Sequence, residues 1–353
     1  MHAVAPRAPG WRRLPLVAGA GIVALTLFLA RAPLSMAALV FVGLLGGATL
    51  LLRPEVGLYA LAFAVPFGSL REIALGGVSI GASEVLVFAV LGAWLLRMAV
   101  TREVRVVRTP LTLAIGAYVG VLALGLLPAT ALTPAAKELA KWVEFLILFT
   151  IVASLPGAGE GRRILRGLIA ALLLAGLAEG LLGAYQFLRQ VGPPGFILMG
   201  RYMRAHGTFQ QPNPYGGYLG LLVPLAYGIV LAEGRTAWAA IRSGRPARAW
   251  LWGLAVISGG GMLAGLVMSW SRGALLGLAA GAGLVFLSLG RKAWAVAAAL
   301  ALVLAFLGPG SVEALPGDLV GRVTETFEYI NLPDLTAVEI DDANFSVIER
   351  AAH

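Results

Sequence analysis

The sequence contains no cysteine, few charged residues and only three histidines. Without cysteine there is no disulfide framework, thiolate metal site or cysteine nucleophile. Charged residues make up 13% of the chain and hydrophobic residues 59%, with a mean hydropathy of +0.86, whereas soluble domains average roughly 25% charged and 45–50% apolar. This composition excludes a water-soluble globular enzyme, a disordered tail and a nucleic-acid-binding module.

The apolar runs are long and continuous, which favours membrane-spanning helices over the alternating pattern of barrel strands. A helix needs roughly 20 apolar residues to cross about 30 Å of hydrocarbon. The sequence therefore predicts an all-α polytopic membrane protein with about eleven transmembrane helices. The predicted spans are 14–30, 34–52, 55–70, 83–99, 110–127, 137–155, 165–188, 214–232, 250–269, 273–289 and 293–308.

The positive charges indicate the orientation. The net charge is +9, and the arginines cluster in short loops between apolar runs. With a cytoplasmic N-terminus, most of the 27 lysines and arginines fall on the cytoplasmic side, as the positive-inside rule requires. The first apolar run has no small-residue cleavage site after it, so we predict a retained first span. Residues 189–213 and 309–353 become the sizeable external segments.

Ionisable residues on the outer side or inside spans are candidates for function, because such groups are costly in a membrane. Lys137, Lys141 and Glu144 share one helix face at the outer end of the sixth span. They form either a snorkelling group with a Lys141–Glu144 pair or a cationic wall for an anionic substrate. Glu179 lies inside the seventh span, and we expect it to face the bundle interior, hydrogen-bonded, in a structural role.

Two short segments combine cationic side chains with turn residues at the outer surface. The first, 201–214, carries Arg201, Arg204, His206 and Asn213, and the arginine fork suits bidentate phosphate recognition. His206 alone is ambiguous between a structural and a direct role. These donors predict a rigid entrance to an anion site.

The second segment, 269–273, is a very short connection between two spans. Arg272 lies there at the start of a helix, behind Ser271 as a candidate N-cap, beside backbone N–H donors. The alternative is an arginine that snorkels to lipid phosphate. The three histidines, His2, His206 and His353, show no metal-ligand spacing. We therefore expect cationic chemistry without a metal or cofactor.

These two segments resemble the O-antigen ligase and polymerase family. The run Arg204-Ala-His-Gly-Thr-Phe-Gln-Gln-Pro-Asn-Pro-Tyr-Gly-Gly-Tyr-Leu219 is followed by Ser271-Arg272-Gly-Ala-Leu-Leu276-Gly277. The family's multi-spanning bacterial proteins transfer glycans from an undecaprenyl-diphosphate carrier at the outer face of the cytoplasmic membrane. The resemblance covers residues 200–353 in detail and the preceding chain only by hydropathy. It divides the chain into N-terminal transmembrane helices, 1–190, and an O-antigen ligase-related domain, 191–353, with four spans and the start of a large external loop.

The resemblance implies a metal-independent glycosyltransferase in the bacterial inner membrane. Its partners are a polyprenyl-diphosphate-linked glycan and a lipid or glycan acceptor, such as the lipid A core of lipopolysaccharide, a growing cell-envelope polysaccharide or a protein. Arg204 and Arg272 occupy the positions of the family's diphosphate-binding arginines, and we take them as catalytic. Candidate substrate-binding residues are Arg201, His206, Asn213, Lys137, Lys141 and Ser271.

One family feature is missing from this chain. The family uses a histidine near the end of its large external loop, and His353, as the last residue, does not match it. We therefore expect a C-terminally truncated chain that does not transfer glycan alone; the alternative is that His353 or His206 takes that role in a complete chain. A transporter of the bicarbonate type is the alternative function, and it would need polar groups that continue to the cytoplasmic side.

Overall fold

The computed structural model of the chain describes residues 33–68, 73–75, 78–104, 106–155, 159–198, 200–288 and 290. The predicted spans 14–30 and 293–308, the cytoplasmic N-terminus, the external segment 309–353 and His353 lie outside these residues. The chain divides into two units after Gly281, and the site described below lies in the first.

Nine α-helices and two short hairpins make up the described part of the chain. The helices are α1 Leu34–Leu52, α2 Pro54–Phe67, α3 Ala82–Thr101, α4 Pro110–Gly125, α5 Leu132–Ala153, α6 Glu160–Arg189, α7 Pro212–Arg242, α8 Trp250–Met268 and α9 Arg272–Ser288. The antiparallel strand pairs are β1 Ile73–Leu75 with β2 Val78–Ile80, and β3 Ile197–Leu198 with β4 Tyr202–Met203. Short 3₁₀ turns cover Pro194–Phe196 and Pro246–Ala249.

The all-helical prediction is confirmed, but the count of eleven spans is wrong. Within the described residues, four helical segments are long and apolar enough to cross a membrane: Ala82–Thr101, Glu160–Arg189, Pro212–Arg242 and Pro246–Met268. Some of the other predicted spans correspond to shorter or more charged helices. Pro54 starts α2, which has 14 residues and is therefore about 21 Å long, and α5 contains four charged residues among its 22. Apolar runs in the sequence do not show where a helix begins and ends.

The main core lies between α6, α7 and α8. Helix α8 packs along both α6 and α7, and the residues buried there are mostly large: Leu173, Tyr215, Leu219, Val223, Met262 and Leu266. A second cluster joins α2, α3 and α5 to the start of α6, through Leu58, Leu61, Val87, Val90, Ile151 and Ile164. Helix α6 takes part in both clusters and connects the two groups of helices.

Helices α6 and α8 come into backbone contact at glycines. A Cβ atom added to Gly180 would lie 2.5 Å from the Gly261 carbonyl oxygen and 3.0 Å from the Met262 Cα. Small residues at such positions let helices approach closely in lipid. The close contact brings the C-terminal ends of α6 and α8 together at the site described below.

We expect Gly180→Ala to destabilise the protein by roughly 1–3 kcal/mol, because the added methyl group forces the two helices apart. Gly260→Ala is the matched control, since a Cβ there meets nothing within 4 Å. Thermal unfolding of the two purified variants in one detergent tests this. Equal melting temperatures would contradict the close-packing explanation.

Candidate functional site

The segment between α6 and α7 is held by backbone and side-chain hydrogen bonds. The β3–β4 hairpin pairs Ile197 with Met203, and the Met203 N–H donates to Gln190 Oε1 at 2.9 Å. Next to it, the Ala205 N–H donates to the Met268 carbonyl at the end of α8 (3.0 Å). Arg204 thus lies between two anchored backbone positions.

The Arg204 guanidinium bridges two helix ends. Its Nε donates to the Ser269 carbonyl at 2.9 Å, and its Nη2 donates to Asn213 Oδ1 at 3.0 Å. Ser269 follows α8, and Asn213 lies in the first turn of α7. The structure therefore brings the predicted residues Arg204 and Asn213 together and fixes the guanidinium plane.

Ser271 and Arg272 follow Ser269, one of the residues of this bridge, by two and three positions in the sequence. Arg272 is half-buried and is the first residue of α9, three positions after Ser269. Ser271 is buried, and its N–H donates to Ser269 Oγ at 3.2 Å. A Cβ on Gly216 of α7 would lie 3.0 Å from both serine side chains. The start of α7, the end of α8 and the start of α9 therefore meet at one place.

Two helix N-termini and two arginines belong to this meeting point. The start of a helix carries partial positive charge, although Pro212 and Pro214 leave the first turn of α7 with fewer N–H groups than that of α9. The Arg204 guanidinium adds a full positive charge between the end of α8 and the start of α7, and Arg272 adds another as the first residue of α9. Such an arrangement attracts an anion, and planar guanidiniums favour phosphate oxygens.

Gln186 of α6 holds the backbone that follows Arg204. Its Oε1 accepts from the His206 N–H (3.1 Å) and the Gly207 N–H (2.8 Å), and its Nε2 donates to the Gly207 carbonyl (2.8 Å). Because backbone N–H groups only donate, these contacts fix which end of the amide is the oxygen. Sequence analysis missed Gln186, since a single glutamine near a helix end carries no pattern.

His206 contributes to the same segment. Its Nε2 lies 3.3 Å from Gln186 Nε2, and its Nδ1 lies 3.3 Å from the Arg204 carbonyl. Since Gln186 Nε2 is a donor, the ring accepts at Nε2 and donates at Nδ1. The ring also packs edge-on against Phe196. These contacts favour a structural role for His206; substrate binding by this residue stays a prediction.

Glu179 is fully buried in α6 and hydrogen-bonded, as predicted. Its Oε2 accepts from the Thr208 N–H at 3.0 Å, and its Oε1 lies 2.6 Å from Thr208 Oγ1. The Tyr215 hydroxyl of α7 donates to the Glu179 carbonyl at 3.1 Å. Glu179 and Gln186, two helical turns apart, therefore hold residues 206–208 from one face of α6.

The remaining predicted substrate-binding residues are exposed on the surface. Arg201 is exposed and stacks its guanidinium over the Tyr202 ring at 5.2 Å. Lys137 and Lys141 are exposed on α5, which packs mainly on α3 and α4. The predicted Lys141–Glu144 pair is wrong: Lys141 contacts Glu138 at 3.1 Å, because i,i+3 spacing allows either carboxylate and Glu138 is the exposed one of the two.

A cavity of about 310 Å³ opens near the start of α6, at the far end of the helix from Arg204. Its lining includes the charged residues Glu55, Arg97, Glu103 and Glu160 and the hydroxyl residues Thr101 and Ser154. Arg97 and Glu160 are 3.7 Å apart. None of the sequence-predicted site residues lines it.

No family model, curated protein or solved structure matches this chain. The geometry of the site therefore carries the functional argument.

Proposed function

We propose that the protein transfers a glycan from a polyprenyl-diphosphate carrier to an acceptor hydroxyl at the outer face of a bacterial cytoplasmic membrane. The observation that carries the proposal is the fixed Arg204 guanidinium, which donates to Asn213 and to the Ser269 carbonyl. Ser269 lies three residues before Arg272. It supports a diphosphate site at the junction of α7, α8 and α9. The resemblance of the two arginine segments to O-antigen ligases and polymerases supports the same reaction.

The chemistry needs positive charge at one point. When the anomeric carbon bonds to the oxygen of the acceptor hydroxyl, its bond to the diphosphate breaks. The leaving diphosphate gains negative charge, and the hydroxyl proton is released to solvent. Fixed guanidiniums stabilise that charge more in the transition state than in the ground state. Arg204 and Arg272 would supply this stabilisation in the way that a metal ion does in other transferases.

The alternative of a transporter finds less support in α6. The buried residues of this helix that precede Glu179 are apolar or glycine: Gly161, Ile164, Ala171, Leu173, Ala175 and Gly176. A transport path along this helix would need polar groups over its whole length. The polar side chains buried in α6, Glu179 and Gln186, are instead those that hold the 206–208 segment.

A transfer assay tests the proposed reaction. The purified chain in lipid nanodiscs receives an undecaprenyl-diphosphate-linked glycan together with lipid A core, a second lipid-linked glycan or a peptide acceptor. Release of free undecaprenyl diphosphate with glycosylation of one of the three acceptors would support the proposal. It would also show that His206 or His353 takes the role of the family's histidine, against the expectation from the sequence that the chain does not transfer glycan alone. Turnover that is unchanged when Arg204 and Arg272 are both replaced by alanine would contradict the proposal.

The orientation gives a separate prediction, because the chain contains no cysteine. Arg162, Arg163 and Arg166 start α6, and Arg242 ends α7; by the positive-inside rule this end of the bundle is cytoplasmic. Ser243→Cys should then react with an impermeant thiol reagent only from the cytoplasm. Gly195→Cys, an exposed position at the opposite end, should react only from outside, and the reverse pattern would overturn the orientation.

A further inference from the structure

The contacts of Thr208 reveal where a proton lies. Its Oγ1 is 2.6 Å from Glu179 Oε1 and also 2.6 Å from the Pro66 carbonyl oxygen of α2. Oxygen atoms this close share a hydrogen. Two such contacts therefore need two hydrogens.

The threonine hydroxyl carries only one hydrogen, and a proline carbonyl can only accept. The hydroxyl hydrogen therefore goes to Pro66. The hydrogen between Oγ1 and Glu179 Oε1 must come from the carboxyl group. The Thr208 N–H then donates to the other carboxyl oxygen, Oε2, at 3.0 Å.

We propose that Glu179 retains its proton and acts, together with Gln186, as a positioning residue for Arg204. The inference rests on the proposed function only in naming Arg204 as the group that is positioned. An ionised Glu179 would leave two acceptors facing one hydrogen and a buried carboxylate without water, since the residue is 0% exposed; both are costly.

The geometry explains why the segment is rigid. The neutral carboxyl joins Thr208 to α6 and, through the threonine hydroxyl, to Pro66 of α2. Gln186 accepts hydrogen bonds from the backbone of the two residues before Thr208, His206 and Gly207. With residues 206–208 fixed on both α6 and α2, the backbone of Arg204 cannot shift without breaking several buried hydrogen bonds.

Glutamine at position 179 reproduces the donor and acceptor pattern of a protonated carboxyl group. Its Nε2 can donate to Thr208 Oγ1 while its Oε1 accepts from the Thr208 N–H. An ionised carboxylate only accepts hydrogen bonds, so glutamine would not reproduce its pattern. We therefore expect Glu179→Gln to keep the wild-type melting temperature and lipid-diphosphate binding, whereas Glu179→Ala loses about tenfold in binding.

Infrared spectroscopy of the full chain in nanodiscs at neutral pH tests the proton directly. The difference between wild type and Glu179→Gln should contain a protonated-carboxyl C=O band. Glu138→Gln, at the exposed Lys141 pair, should remove only carboxylate bands. Loss of carboxylate bands alone in Glu179→Gln would overturn the inference.

A second pair of variants tests the positioning role even where Glu179→Ala fails to fold. Thr208→Val should weaken binding of undecaprenyl diphosphate about tenfold, and Thr208→Ser, which keeps the hydroxyl, should restore it. Equal binding by the valine and serine variants would overturn the positioning role. If the wild-type protein binds no undecaprenyl diphosphate, the proposed function is refuted. The infrared test of the Glu179 proton does not depend on lipid binding.

Discussion

Replacement of Arg204 by lysine is expected to lower glycan transfer by about 10²-fold or more, as the loss of one fixed charge-stabilising donor does in other enzymes. Lysine carries the same charge but lacks the planar fork. It cannot hold the Ser269 carbonyl and Asn213 Oδ1 at once in the geometry of the guanidinium. Arg272→Lys should also be impaired, because the point charge of lysine cannot make bidentate contact with a phosphate group.

The measurement is kcat and KM for transfer in nanodiscs. Arg189→Lys is the matched control, because Arg189 ends α6 at the same end of the bundle and is exposed. The control should retain nearly wild-type rates. Equal rates for Arg204→Lys and Arg189→Lys would show that Arg204 contributes charge alone or nothing to transfer.

Gly207→Ala is expected to cause the largest loss of stability among single methyl additions in this segment. Gly207 has φ of +57°, a conformation that costs other residues about 1–2 kcal/mol. Its added Cβ would also collide with Glu179 Oε2 and lie 2.7 Å from the Tyr215 ring, and overpacking adds roughly 1–3 kcal/mol. The sum is about 2–5 kcal/mol.

Chemical or thermal unfolding of the purified variant measures this loss. Gly217→Ala in α7 is the control, because a Cβ there meets nothing within 4 Å and alanine favours a helix by about 1 kcal/mol over glycine. The control should be as stable as wild type or more stable. A Gly207→Ala protein with wild-type stability would mean that Glu179 and Tyr215 do not enclose this glycine.

Hydropathy located the helices but not their lengths. The run 214–232 predicts a span that becomes α7, yet the helix continues to Arg242. The added turns contain Glu233, Arg235 and Arg242, which lower hydropathy without breaking a helix. In the opposite direction, α2 ends at Phe67 although the predicted span continues to 70. Its start at Pro54 is one residue before the predicted one, since proline is readily accepted in the first turn of a helix.

The arginines of the candidate site could be predicted from the sequence, but the residues that hold them in place could not. Arginines on the side that should carry few positive charges are conspicuous in a membrane protein, so Arg204 and Arg272 could be selected from the sequence. The partners of Arg204 include a backbone carbonyl, that of Ser269, which no side-chain pattern encodes. Gln186 gave no signal, and Thr208 stood out only as part of the run 204–219, because the roles of both residues arise when α6 packs beside the 206–208 segment.

The most direct test of a diphosphate site built on Arg204 and Arg272 is lipid binding measured by native mass spectrometry. The wild-type chain is compared with Arg204→Lys, Arg272→Lys and Arg189→Lys, each with undecaprenyl diphosphate and undecaprenyl monophosphate. We expect the wild type and Arg189→Lys to prefer the diphosphate by about tenfold, which corresponds to one added charge-assisted contact, and both site variants to lose that preference. Equal affinity of the wild type for the two lipids, or a preference that survives both site substitutions, would contradict the assignment.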